Sequence, residues 1–107
     1  MTNQVYIDKY KDEGARIFTD RDRGIEARKE LGLDQLEQSG KVIVLLPQDT
    51  WGVNPSFFGG MFETSIRNMK DNFNHNYSFL YADGTELNDS LKQNLEDDFD
   101  YVMRGFN

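Results

Sequence analysis

Few side chains in this sequence are of the kinds that carry out covalent chemistry. The chain has no cysteine and a single histidine, His75, so disulfides, thiolate nucleophiles and zinc–sulfur sites are excluded. A serine–histidine pair could join Ser56 to His75, but no Gly-x-Ser-x-Gly sequence surrounds the serine. A Gly-x-x-x-x-Gly-Lys phosphate-binding loop is also missing. We therefore expect a protein that is not an enzyme, with no catalytic residue and no cofactor.

Acidic side chains are concentrated in the last part of the chain. Residues 83–104 contain seven acids and two basic residues, a local charge of −5. Asp97, Asp98 and Asp100 could offer oxygen ligands to a divalent cation. These three do not share one face of a helix, however, and no loop with alternating ligands is present. We expect no metal site here, and a solvated acidic surface instead.

A different kind of site is suggested by the segment TWGVNPSFFGG, residues 50–60. Asn54 is of a type favoured as a helix N-cap, and Pro55 is of the type favoured at the first helical position, so a helix is predicted to begin here. Trp51, in the loop before it, is of the residue type most enriched at the centres of protein interfaces. The alternative is that this tryptophan covers the end of a sheet and is mostly buried.

Strands and helices alternate along the chain and would position these residues. Residues 42–46, VIVLL, lack polar alternation, which is typical of a strand covered on both faces. The sequence predicts strands at 4–7, 15–18, 42–46 and 77–81, and helices at 20–31, from 55 to about 70, and from 85 or 86 onward. The fold class expected is α/β, with a mixed sheet of about four strands and about three helices packed on it.

Two further patterns concern the helices. Gly59 and Gly60, near the start of the second helix, would allow a neighbouring element to approach it closely. The last helix carries an apolar stripe at spacings of three and four residues, which indicates a buried face. Its members are Leu87, Leu91, Leu95, Phe99, Val102 and Phe106.

Length and composition bound the class of protein. The 107 residues are 37% hydrophobic and 13% aromatic, which is enough for one domain with a packed core spanning residues 1–107. The net charge of −7 repels phosphate backbones, so we expect no nucleic-acid partner. No apolar run approaches the ~20 residues of a spanning helix. We expect a cytoplasmic protein without membrane contact, either monomeric or a weak homodimer.

Three short motifs are shared with a known family. They are Arg21 with Gly24 at a helix start, a buried strand after a Gly-Lys turn, and Ser56-Phe57 at the head of the next helix. With them the sequence resembles the STAS-like family of unknown function, which is akin to the STAS domains of anti-sigma factor antagonists. The resemblance covers about half of the chain, and it implies a small mixed sheet with helices packed on it.

The resemblance also implies a switch and a partner. In anti-sigma factor antagonists a serine at the head of this helix is phosphorylated by a partner kinase, and the matching position here is Ser56. A phosphate beside a helix N-terminus is favoured by free N–H groups and the helix dipole, and its charge would disturb a bound partner. The implied partner is a histidine-kinase-like ATPase. The chain departs from the family at Leu46-Pro47, where relatives carry Asp-Phe, and at Asn54-Pro55, where the switch motif has Asp-Ser.

Our leading hypothesis is a non-enzymatic regulatory module that binds a protein partner through residues 51–57. The partner-binding residues predicted are Trp51, Asn54, Ser56 and Phe57, and Ser56 is the candidate switch. The alternative is an acidic inhibitor, of phage or mobile-element origin, that occupies a basic nucleic-acid-binding surface of another protein. Its acidic surface would be formed by Asp97, Asp98 and Asp100.

Overall fold

The computed structural model describes residues 2–105 as alternating strands and helices. The strands are β1 (Thr2–Tyr6), β2 (Ile17–Phe18), β3 (Lys41–Leu46), β4 (Gly52–Val53) and β5 (Tyr77–Tyr81). The helices are α1 (Arg21–Leu31), α2 (Leu33–Ser39), α3 (Pro55–Met69), the single turn α4 (Phe73–Asn76) and α5 (Asp89–Arg104). Two 3-10 turns cover Asp8–Tyr10 and Lys70–Asn72. No helix in residues 2–105 has both the length and the apolar character needed to cross a bilayer.

The strands form two small parallel sheets, which corrects the expected single mixed sheet of about four strands. One sheet has three strands in the order β1-β3-β5, and the other pairs β2 with β4. Because each paired strand is separated from its neighbour by helical connections, the chain returns in the same direction and the pairing is parallel. The α/β class is confirmed, although the strands and helices are divided differently from the prediction.

Strand β3 lies at the centre of the larger sheet, as its apolar run predicted. Val44 is paired with Val5 on one side and with Phe79 on the other. Val42, Val44 and Leu46 face the hydrophobic core and are buried. The opposite face is less completely covered, because Ile43 is only half-buried there. The prediction that this strand is covered on both faces is therefore confirmed in part.

Helices α1 and α3 cross at two glycines, Gly24 and Gly60. A Cβ atom built on Gly60 would lie 2.2 Å from the carbonyl oxygen of Arg21, and one built on Gly24 would lie 2.2 Å from that of Phe57. Both distances are far below van der Waals contact, so only glycine permits this backbone approach. The prediction of close approach is thus confirmed for Gly60.

Aromatic rings and the stripe of α5 complete the core. Phe62 lies between the rings of Phe58, at 5.0 Å between centroids, and Phe73, at 5.5 Å. Leu91, Leu95 and Val102 of α5 are buried and Phe99 packs against the core, as the spacing predicted. Leu87 is buried too but precedes the helix, and Phe106 lies outside the described residues. The helix begins at Asp89 and not at 85 or 86, because the side chain of Asn88 accepts the backbone N–H of Leu91 at 2.8 Å.

Candidate functional site

The exposed tryptophan, Trp51, is held at the start of the small β2–β4 sheet. Its backbone N–H donates to the carbonyl oxygen of Arg16 at 2.6 Å. The next residues, Gly52 and Val53, pair with β2. The Trp51 side chain is 67% exposed, so it does not cover the end of a sheet. Because its backbone is fixed on both sides, the indole is presented from a defined position.

Two residues extend this exposed area: Arg16, which precedes β2, and Ile17, the first residue of β2. The guanidinium carbon of Arg16 lies 4.7 Å from the Trp51 ring centroid, which is cation–π geometry. The side chain of Ile17 on β2 is also exposed, at 44%. These side chains line a surface groove of about 330 Å³ together with Asp12 and Thr19. We call Arg16, Ile17 and Trp51 the Trp51 surface.

A side chain from the last helix holds the strand that carries this surface. Asn94 of α5 accepts the backbone N–H of Val53 at 2.8 Å and donates to the carbonyl oxygen of the same residue at 3.0 Å. Gly52 lies so close that an added Cβ would be 2.8 Å from Oδ1 of Asn94. An amide side chain carries its acceptor and its donors on two separate atoms, so Asn94 can engage the N–H and the carbonyl oxygen of Val53 at the same time. The sequence analysis did not identify Asn94.

The helix start that follows β4 is built as predicted. The side chain of Asn54 accepts the backbone N–H of Ser56 at 2.9 Å, and Pro55 occupies the first helical position. The hydroxyl of Ser56 also donates to the Asn54 side chain, at 2.6 Å. Both residues are exposed. Ser56 therefore has an accessible hydroxyl, which is hydrogen-bonded to the cap residue.

A second groove, of about 500 Å³, lies beside Ser56. It shares no lining residue with the groove beside Trp51. It is bounded by Arg21 and Glu63, whose side chains form an ion pair at 2.9 Å, and by Tyr101 of α5. Of the four residues predicted to bind a partner, the structure thus joins Asn54 and Ser56 in one groove. It places Trp51 in the other.

Phe57, the fourth predicted contact residue, has to be removed from the binding surface. Its side chain is 0% exposed, and its ring packs 5.2 Å from the ring of Phe18 on β2. In the first turn of α3, Pro55 and Ser56 are exposed, whereas Phe57 and Phe58 lie on the buried face.

The acidic surface also needs a correction. Asp97 and Asp100 are exposed on α5, whereas Asp98 is only 2% exposed. Burial raises the pKa of Asp98 to about 7; the charge of Asp97 adds to this, and a hydrogen bond from Asn94, at 3.1 Å, acts in the opposite direction. Asp98 therefore belongs with the clamp on β4 and not with the exposed acids.

Substitution of Asp98 by asparagine is expected to raise the free energy of unfolding at pH 8 by up to about 4 kcal/mol, because the pKa of Asp98 is about three units higher in the folded protein and each unit corresponds to about 1.4 kcal/mol. The folded protein keeps a proton on Asp98 up to about pH 7, whereas the unfolded chain releases it near pH 4. Asp98 therefore contributes least to stability above pH 7, and stability falls as the pH rises from 4 to 7. Asparagine cannot ionise, so this slope should be lost.

Urea denaturation between pH 4 and pH 8 measures this effect. The matched control is Asp100→Asn, an exposed acid on the same helix, and it should keep the slope of the unchanged protein. A slope that survives in Asp98→Asn would contradict the assignment.

A buried polar network under α1, α2 and α3 is the other feature the sequence analysis missed. Arg28 donates to the carbonyl oxygen of Met61 at 2.9 Å, to the hydroxyl of Ser65 at 2.7 Å and to Glu37 at 3.0 Å. The Ser65 hydroxyl in turn donates to Glu37 at 3.1 Å. Burial is the main cause that raises the pKa of Tyr77, beside this network, to about 12. The sequence did contain a signal for this network, because Arg28 and Ser65 are polar residues that stand among apolar residues at helical spacing.

Alternative sites within residues 2–105 would be a metal cluster, the single histidine or the apolar crevice beside α5. No cluster of three or more potential metal-binding side chains occurs in residues 2–105. His75 is exposed on α4. An apolar crevice lined by Phe58, Phe73 and Phe99 measures about 180 Å³, less than the roughly 300 Å³ at which ligand pockets begin. The exposed surface features are therefore the stronger candidates for function.

Comparison with known proteins finds no relative of this chain. No family model, no curated protein and no solved structure matches the chain. The resemblance to STAS-like domains receives no support from these comparisons and stays a hypothesis drawn from short motifs. The functional argument therefore rests on the geometry of the Trp51 surface and of the neighbouring helix start.

Proposed function

We propose that this protein is a non-enzymatic interaction module that binds a protein partner through the Trp51 surface. The observation that carries the proposal is the position of Trp51, which is two-thirds exposed although its backbone is fixed by Arg16 and by β4. Exposing a large apolar ring to water is unfavourable, and tryptophan is the residue type that most often dominates interface energetics. A rigid position lowers the conformational entropy lost on binding.

Regulation through Ser56 is a second part of this proposal. The hydroxyl is exposed at the head of a 15-residue helix, and Arg21 lies in the same groove. A phosphate there would be favoured by the free N–H groups of the first helical turn, while its charge would change the surface offered to a partner. A histidine-kinase-like ATPase remains the partner suggested by the STAS-like resemblance.

The acidic-inhibitor function is the second candidate, and Asp97 and Asp100 on the exposed face of α5 favour it. Such a surface would attract a basic partner through many separated charges. Its affinity should fall steeply as ionic strength rises, because surface charges are screened within about 10 Å at 0.1 M salt. Binding through the Trp51 surface should depend much less on salt.

Loss of partner binding in Trp51→Ala is the expected result that tests the first proposal. Removing the indole should weaken binding by at least about 30-fold, since truncation of a central tryptophan commonly costs about 2 kcal/mol or more. The matched control is Tyr6→Ala, another exposed aromatic residue that lines neither the groove of Trp51 nor that of Ser56.

The measurement has two stages. Proteins retained on the immobilised chain from its own cells are identified by quantitative mass spectrometry for the unchanged protein and both variants. The protein lost only with Trp51→Ala is then purified, and its affinity is measured by calorimetry at low and high salt. Equal affinity for the unchanged protein and for Trp51→Ala would reject the Trp51 surface, and strong salt dependence would favour the acidic α5 surface instead.

A further inference from the structure

Arg16 has no acidic partner within residues 2–105, unlike the three arginines of α1. Arg21 pairs with Glu63, and Arg23 pairs with Asp12 at 2.6 Å. Arg28 pairs with two carboxylates. Within residues 2–105, the one interaction of the Arg16 side chain is its cation–π contact with the ring of Trp51. In a chain of net charge −7 with 19 acidic residues, an arginine without a carboxylate partner is not explained by a shortage of acids.

The groove itself keeps this guanidinium available. Asp12 lines the same groove as Arg16, and it is the nearest candidate in the groove for pairing. Its carboxylate is engaged by Arg23 of α1 instead. The guanidinium carbon lies 4.7 Å from the centroid of the indole ring, and within residues 2–105 the guanidinium N–H groups have no hydrogen-bond acceptor, so they can donate to a ligand. The result is a planar donor set fixed beside an apolar wall formed by Trp51 and Ile17.

We infer that the Trp51 surface binds a segment of a partner protein in which a carboxylate side chain stands next to an apolar side chain. This inference rests on the proposed function and names the chemistry of its partner. The carboxylate would accept two parallel N–H groups of Arg16, the geometry in which guanidinium and carboxylate fit best. The apolar side chain would cover the exposed faces of Trp51 and Ile17.

A phosphate group fits this surface less well than a carboxylate does. Arg16 is the one basic side chain that lines the groove, and Asp12 lies in the same lining. A single guanidinium balances one negative charge, whereas a phosphate monoester carries about two at neutral pH. The acidic net charge of the chain adds to this difference.

Trp51 itself provides the readout, because it is the sole tryptophan of the chain. The full-length protein is titrated with two capped peptides that differ by one group, one containing Leu-Glu-Leu and the other Leu-Gln-Leu between Gly-Ser ends. Inorganic phosphate is the third probe. Tryptophan fluorescence and the NMR signal of the indole N–H report contact at the surface. We expect the glutamate peptide to bind at least about tenfold more tightly than the glutamine peptide, which corresponds to one charge-assisted hydrogen bond.

Variants assign the preference to one side chain. Arg16→Gln should abolish the difference between the two peptides, and Arg16→Lys, which keeps the charge but not the planar donor set, should reduce it. Arg104→Gln is the matched control, since Arg104 is exposed on α5 and does not line this groove. All three changes are on exposed side chains, and a thermal unfolding midpoint for each variant verifies that it is folded.

Each outcome supports or overturns the inference. A glutamate preference that disappears in Arg16→Gln and persists in Arg104→Gln supports it. Equal binding of the two peptides, no binding of either, or tighter binding of inorganic phosphate overturns it. The proposed function is judged separately: equal binding of both peptides that is lost in Trp51→Ala would leave the Trp51 surface standing and reject only the carboxylate. A natural partner that binds Trp51→Ala normally would reject the surface itself.

Discussion

Replacing Gly60 with alanine is expected to destabilise the protein by about 3 kcal/mol or more. The new Cβ would lie 2.2 Å from the carbonyl oxygen of Arg21 and 3.1 Å from the backbone nitrogen of Ile25. Both are backbone atoms of α1, so no side-chain movement can relieve the overlap. The two helices would have to separate, and the core side chains between them would lose contact. Small domains have free energies of unfolding of about 5–15 kcal/mol, so the expected loss is a large fraction of the total stability.

The neighbouring glycine is the matched control for this experiment. A Cβ on Gly59 would meet its nearest atom, Nη1 of Arg21, at 3.2 Å, and that atom is at the end of a flexible side chain. Alanine is favoured over glycine inside a helix by about 1 kcal/mol, so Gly59→Ala should be neutral or stabilising. Urea denaturation of both variants measures the difference. Similar stabilities for the two variants would show that the α1–α3 crossing does not depend on close backbone contact.

Truncation of Glu37 to alanine is expected to cost about 3 kcal/mol, because it leaves a buried arginine without its buried partner. The Glu37 side chain is 8% exposed and that of Arg28 is 11% exposed. The same carboxylate also accepts the hydroxyl groups of Ser65 and Tyr77, at 3.1 Å and 3.4 Å. Removing it therefore breaks a connection between α1, α2, α3 and β5 at one point.

Asp34 offers the control, since it contacts the same guanidinium from the solvent side. Its side chain is 69% exposed, and exposed ion pairs contribute about 0–1 kcal/mol. Asp34→Ala should therefore change the denaturation midpoint little. Equal losses of stability in Glu37→Ala and Asp34→Ala would contradict this prediction. They would mean that Arg28 is solvated well enough to be stabilised by either carboxylate, and that the buried network does not stabilise the fold.

Local signals in the sequence predicted the elements better than the site. The strand at 42–46 and the helix beginning after Asn54 depend on neighbouring residues, and both were found where expected. The exposure of Trp51 depends instead on the pairing of β2 with β4, which brings together residues distant in sequence. No periodicity encodes such a pairing, so the choice between a buried and an exposed tryptophan stayed open.

Two predicted site residues, Asp98 and Phe57, are buried, and closer attention to helical spacing could have avoided the first of these errors. Asp98 lies three residues after Leu95 and four before Val102, so it stands on the buried stripe of α5 and not among the exposed acids. Phe57 follows an outward-facing serine and faces Phe18, a contact that only the tertiary structure supplies. The Asn94 clamp could not be predicted, because an asparagine in a helix carries no signal for a strand distant in the chain.

The clamp has a consequence for when the candidate binding surface comes into existence. Val53 is held by Asn94, which belongs to the last helix of the described chain, and β4 pairs with only two residues of β2. During synthesis Trp51 leaves the ribosome long before α5, so the nascent chain has the tryptophan but not the support that fixes its position. A partner that requires the fixed geometry would thus bind chains in which α5 has been synthesised and has packed against β4, and would bind earlier nascent chains less well.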